Sequence, residues 1–163
     1  MNKIKKVYTA HTWHYRKIVM DDICKFLLGV GIEPINPFYN SDGSSPRAEV
    51  RLGDELEAKG IDLWTNAEWV RKIAKLNRTI VERDLNAIDS TDATVAYMQE
   101  WSGGTTCEIF YTGHVCHKPV FLITTNLKVA KHPWMIEACN YGGKIFKSLQ
   151  SFKRYMRKNY ANR

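Results

Sequence analysis

The chain of 163 residues predicts an α/β fold, a parallel sheet covered by helices on both faces. Three observations predict it. Short apolar strands alternate with segments of helical period along the chain. The run Pro119-Val-Phe-Leu-Ile-Thr124 is apolar without alternation, as a strand buried on both faces should be. The strand-like Ala93-Thr-Val-Ala-Tyr-Met98 leads through Ser102-Gly103-Gly104 into a helical segment, a strand–turn–helix junction. The length is that of one ordinary domain, so residues 1–163 are read as a single unit.

The elements follow in order. Lys5–Ala10 is a short first strand. From about Trp13 to Val30, apolar Val19, Ile23, Phe26, Leu27 and Val30 share one helical face, and Gly31 closes the helix. Ile32–Ile35 is a second strand that Pro34 assigns to an edge. The stretch 36–66 is rich in Pro, Ser, Gly, Asp and Asn and reads as a lid or oligomer-contact loop, partly helical near Glu49 to Lys59. Thr65-x-x-Glu68 is a capping-box pattern opening a helix towards Ile88, with Trp64 and Trp69 beside its start. Next come the strand 93–98, a helix from about Thr105 to Cys116, and the buried strand 119–124. Gly142-Gly143 turns the chain into a short strand, Lys144–Lys147, and a last helix fills about 148–160.

Charge and cysteine content exclude several classes. No apolar run approaches the ~20 residues of a membrane span, and the N-terminus lacks a signal-peptide core. Cys24, Cys107, Cys116 and Cys139 are scattered, which fits reduced thiols in a cytoplasmic setting rather than a disulfide scaffold. The net charge of +7 is concentrated at the end of the chain. From Ala138 to Arg163 there is no acidic residue, while Lys144, Lys147, Lys153, Arg154, Arg157, Lys158 and Arg163 are basic. That helix is either a solvated basic face or a route to nucleic acid, and no nucleic-acid motif accompanies it.

Ligands of parallel sheets sit at the carboxyl ends of the strands. That rule gathers Tyr8–Trp13, Asn36–Tyr39, Gln99–Glu108 and Thr124–Asn126 around one cleft. Glycines let the backbone approach a ligand, and a helix N-terminus presents unpaired N–H groups to an anion. Glu108, at the end of the glycine turn, is placed to act as a nucleophile or to clamp sugar hydroxyls. Its alternative is a first-turn glutamate that complements the helix dipole.

Three separated segments carry a resemblance over roughly residues 5–125. They are Tyr8-Thr-Ala-His-Thr-Trp13, the run Glu82–Asp92 with Asp84-Leu85 and Ile88, and Ser102-Gly-Gly-Thr-Thr-Cys-Glu108 continuing to Lys118-Pro-Val120. Together they resemble the nucleoside 2-deoxyribosyltransferase family, in which a Tyr-bearing strand, a "D-L-x-x-I-x-x-A-D" helix end and a "G-T/S-x-x-E" segment occur in this order. The resemblance implies a Rossmann- or flavodoxin-like fold, a homo-oligomer, no cofactor, and cleavage of the N-glycosidic bond of a nucleoside or its 5′-monophosphate. Glu108 matches the family's nucleophile, Tyr8 the hydroxyl that orients it, and Asp84 the acid that protonates the leaving base or holds the pentose. Trp13 falls where the family stacks an aromatic on the base.

Departures from that pattern narrow the substrate. Ser102 and Gly103 stand where many transferases of the family carry an aspartate pair. In the related deoxynucleoside 5′-monophosphate N-glycosidases a serine there binds the 5′-phosphate, so Ser102, with Gly103 and Gly104, tilts the reading towards a nucleotide. The run His11-Thr-Trp-His-Tyr-Arg16 replaces small residues, and His11 and Arg16 are candidates for a phosphate at the first strand-to-helix turn, unless His11 only caps a loop. His114-x-Cys116-His117 has no second pair at zinc spacing, so no metal is expected. No P-loop, dinucleotide fingerprint or G-x-S-x-G turn is present. The alternative class is a non-catalytic module that holds a nucleotide, or nucleic acid through the basic last helix.

Overall fold

A computed structural model describes residues 3–39, 46–63 and 65–160. Its five strands are β1 (Lys6–His11), β2 (Glu33–Ile35), β3 (Ala93–Tyr97), β4 (Val120–Ile123) and β5 (Lys144–Phe146). They form one parallel sheet in the order β2-β1-β3-β4-β5. That is the flavodoxin-like doubly wound order, in which the connections before and after β2 lie on opposite faces and the sheet diverges between β1 and β3. Pro34 sits on the edge strand as its missing N–H requires.

Helices cover both faces. The segment α1 (13–29) begins as a tight 3-10 turn and passes through a wider π stretch at Val19–Cys24. It joins the final helix α7 (Leu149–Tyr160) over one face, where Val19, Ile23, Leu27, Phe152 and Met156 bury against Val7, Val95 and Phe121. The other face, with Tyr8, Ala10, Ala96 and Leu122, packs under Ile88 of α3 (Ala67–Asp89) and Ile109 of α4 (Gly103–Phe110, continued to Val115 as a π turn). Alternate residues of one strand therefore serve opposite cores. Met135 and Ala138 of α6 (Pro133–Cys139) complete this layer.

A third, smaller cluster lies beyond the sheet. Trp13, Val50, Leu63 and Trp69 join the start of α1 to α2 (Ala48–Ala58) and α3. The stretch 36–66 thus contains a full helix packed on the body. Its residues 40–45, Trp64, and Arg163 of the basic tail lie outside the described residues.

Several boundaries differ from expectation for local reasons. The cap of α3 is Asn66, whose side chain accepts from Trp69 N at 2.9 Å, while the Thr65 hydroxyl donates to the Asp62 carbonyl. Helix α4 starts at Gly103, because Ser102 adopts the extended cap conformation. Two short helices escaped sequence reading: α5 (Leu127–Ala130), capped by Asn126, and α6, which opens with Pro133. Among the described residues no helix is long and apolar enough to cross a membrane.

Two clips lock the layer that carries the site. Asp92 accepts from Lys5 N at 2.7 Å and Lys6 N at 2.9 Å, tying the end of α3 to β1. The Lys118 ammonium donates to the last carbonyls of α3, Ile88 at 3.0 Å and Asp89 at 2.8 Å. Gly113 and Gly143 lie so close to the Ala138 and Val120 carbonyls that a Cβ would collide with backbone. Gly113→Ala and Gly143→Ala are each expected to cost about 2–4 kcal/mol, read as a lower urea midpoint at unchanged slope. An unchanged midpoint would contradict this packing.

Candidate active site

The topological switch between β1 and β3 opens into a cavity of about 430 Å³. One side is acidic, with Glu108, Asp84 and Glu49; the other is apolar, with Trp13, Phe38, Trp69 and Ile73 among its lining. Each wall follows from local sequence. Trp69, Ile73, Ile80 and Asp84 recur at helical spacing, so one face of α3 supplies both the apolar wall and a carboxylate.

Glu108 belongs to the second turn of α4 and not to the glycine turn. Ser102 caps the helix, accepting from Thr105 N, and its carbonyl accepts from the Thr106 hydroxyl at 2.6 Å. From this position Glu108 reaches β1, where the buried Tyr8 hydroxyl donates to its Oε1 at 2.7 Å. The two residues are 100 apart in sequence. Dense surrounding protein pushes the Glu108 carboxyl up to about 8, and the nearby Asp84 charge adds to this. The Tyr8 bond and Arg83 act in the opposite sense by favouring the carboxylate. Burial also raises Asp84, against the pull of Arg83 and Arg47. Burial beside these carboxylates drives the Tyr8 phenol well above its ordinary range, so it is a proton-bearing donor. The site therefore holds two carboxyls that resist ionising together.

Other predicted residues separate into those on the cavity and those behind it. Ser102, Gly104, His11 and Trp13 line it; Gly103 and Arg16 do not. His11 Nδ1 lies 3.1 Å from the Thr12 carbonyl and Nε2 3.3 Å from Asn36 Oδ1. Burial lowers its pKa to about 4, so at neutral pH it brings no charge to an anion. Arg16 is buried behind Trp13, with its guanidinium 4.0 Å from that ring and ion-paired to Asp54 and Glu57. The Trp13 indole N–H donates to Glu57 at 2.7 Å, and the ring meets Phe38 and Trp69 edge-on. Arg16 thus braces an aromatic wall.

Thr124–Asn126 is absent from the lining: Thr125 N and the Asn126 side chain bond Gln99 instead, pinning the β3 loop to the β4 loop. His114, Cys116 and His117 turn to Phe110, Asp89 and Tyr141 respectively. Among the described residues no group of three or more His, Cys, Asp or Glu could hold a metal ion.

Sequence reasoning missed Arg83, Glu49 and Trp69 as parts of the site, whereas Thr12 fell within the expected Tyr8–Trp13 stretch. The stripe 69–73–80–84 was a signal for Trp69; nothing in the sequence signalled Glu49, which arrives from α2. Two polar atoms here are buried without a partner, the Trp69 indole N–H and the Thr12 hydroxyl. No protein-family model matches the chain, and no curated protein is significantly similar to it. Fold and site define a flavodoxin-like α/β protein with a tyrosine-held carboxyl at its switch point.

A raised carboxyl pKa has a stability consequence of definite sign. Between its ordinary 4.5 and about 8, Glu108 keeps a proton in the folded state that the unfolded chain has lost, so its contribution to stability falls as pH rises. Glu108→Gln mimics the protonated form. Its melting temperature should match wild type near about pH 4 and exceed it increasingly towards about pH 8.5. A constant difference across that range would contradict the burial of this carboxyl.

Proposed function

We propose that the protein cleaves the N-glycosidic bond of a nucleoside or its 5′-monophosphate, passing the pentosyl group to a second base or to water. The observation that carries this reading is the Tyr8–Glu108 hydrogen bond at a cavity that Asp84 shares. Departure of a base from C1′ generates oxocarbenium character, which a carboxylate stabilises and then traps as an ester. A carboxyl fixed by a rigid strand hydroxyl is already oriented for that attack.

The steps balance without a cofactor. A Glu108 oxygen bonds to C1′ as the C1′–N bond breaks, and the electron pair leaves on the base nitrogen while Asp84 supplies a proton. Water or a second base then attacks C1′; Glu108 departs as carboxylate and Asp84 takes the proton of the incoming group. The productive state has one proton on the pair, held by Asp84. Glu108 with its high pKa holds it at rest, and the Tyr8 hydrogen bond favours the shift to Asp84. The leaving base lies against the Trp13, Phe38 and Trp69 wall, where Trp69 Nε1 and Thr12 Oγ1 await polar atoms of the ligand. Ser102 and the N–H of Gly104 at the start of α4 suit a 5′-phosphate.

A homo-oligomer in the cytoplasm belongs to the same proposal. Half-exposed Trp101, Trp134, Leu127 and Ile136 offer apolar contact surface, and the cysteines are free thiols. Nucleic-acid binding through α7 has weaker support, because Lys153 meets Asp22 at 3.7 Å and Arg157 covers Phe26.

Incubation with a panel of nucleosides and 5′-monophosphates, with and without a free acceptor base, tests this by chromatography of the released base. Release lost in Glu108→Ala is expected; a fully active variant would exclude Glu108. Binding of a nucleotide without any turnover would favour the non-catalytic module. The pH profile of kcat/KM should fall through about 8 as the second carboxyl ionises. Tyr8→Phe should lower kcat by roughly tenfold or more and move that limb to higher pH. A limb that stays in place would detach Tyr8 from the chemistry. Trp69→Phe should raise KM more than it changes kcat, whereas equal losses in kcat and kcat/KM with KM unchanged would place the Trp69 contact in the transition state alone.

A further inference from the structure

Arg83 stands between two acids. Its Nε donates to Asp84 at 2.9 Å and its Nη1 to Glu49 at 3.0 Å, with all three side chains at least three-quarters buried. Glu49 comes from the first turn of α2, 34 residues away. That helix is fixed independently: Arg16 holds its Asp54 and Glu57, and Arg47, just ahead of it, donates to the Pro37 carbonyl at 2.8 Å.

We infer that Arg83 and Glu49 form a positioning clamp on Asp84, which makes the α2 insert a working part of the carboxylate pair. This rests on the reading of Asp84 as the second acid of the site. The physical basis is the shape of guanidinium. Its planar fork fixes direction as well as distance, so a guanidinium held by Glu49 allows Asp84 one orientation beside the cavity. The charges around Asp84 are then a balanced set: Arg83 from α3 and Arg47 ahead of α2 are cationic, Glu49 and Glu108 are acidic, and Tyr8 from β1 is neutral. Removing either partner of the clamp tips the set in opposite directions. Loss of Arg83 disfavours the Asp84 carboxylate; loss of the Glu49 charge favours it.

The test is a carbon-13 NMR titration of the aspartate carboxyls in the full chain, with the Asp84 signal assigned through Asp84→Asn. Wild type, Glu49→Gln, Arg83→Gln and Arg83→Lys are compared, each checked for a cooperative melt. The Asp84 midpoint should move down in Glu49→Gln, up in Arg83→Gln, and partly back in Arg83→Lys. The low-pH limb of kcat/KM should move with it, and kcat should fall roughly tenfold or more in Arg83→Gln. A midpoint that stays put in both folded neutral variants overturns the clamp. Opposite shifts without turnover of any nucleoside or nucleotide would keep the clamp and sink the glycosidic reading. Turnover with an unmoved Asp84 would do the reverse.

Discussion

The Tyr8–Glu108 hydrogen bond, 2.7 Å long, joins the first strand to the helix after the third across the sheet's inner face. Among the described residues it is the one hydrogen bond to the Glu108 carboxyl, and the surrounding structure holds its two ends still. Tyr8 is fully buried in the middle of β1, paired to both β2 and β3. Glu108 is set by the Ser102 cap and by Ile109 beneath it. Desolvating that half-buried carboxyl is costly, and the proposed chemistry supplies a reason for keeping a carboxyl of raised pKa beside a second acid.

Aromatic packing supplies the other half of the cavity and is held by charge. Arg16 lies over Trp13 and pairs with two partly exposed acids of α2, so the apolar wall depends on an ionic brace whose arginine is buried. Gly53 belongs to the same arrangement, since a Cβ there would come within 2.5 Å of the Trp13 ring. The insert is therefore part of the pocket's architecture. It brings Glu49 to Arg83 on one side and closes over Trp13 and Trp69 on the other.

Much of the fold was legible. Strand periodicity, the edge proline, the glycine turn and the amphipathic last helix each reflect local chemistry, and α7 matches its expected span at Leu149–Tyr160. Short helices α5 and α6 were missed because four and seven residues carry little period, although Asn126 and Pro133 marked their starts. The meeting of β1 and Glu108 at one cleft followed from the order of the strands; Asp84 was placed there only by the family resemblance, and Tyr8 lies behind the cavity, hydrogen-bonded to Glu108. The part of Arg16 did not follow from that order, because a basic residue near a strand end looks the same whether it meets a ligand or a pair of acids on a neighbouring helix. Glu49 and Arg83 were hidden for a related reason: their meeting depends on where α2 packs, which no local pattern encodes.

In the proposed mechanism Glu108 carries the pentosyl group as an ester. Intact-protein and peptide mass spectrometry after a rapid acid quench, with the best substrate of the panel in excess, tests it directly. A pentosyl mass increment on the peptide containing Glu108, absent in Glu108→Gln, is the predicted result. Turnover with the increment on another residue would contradict this role for Glu108, as would turnover in Glu108→Gln at the wild-type rate.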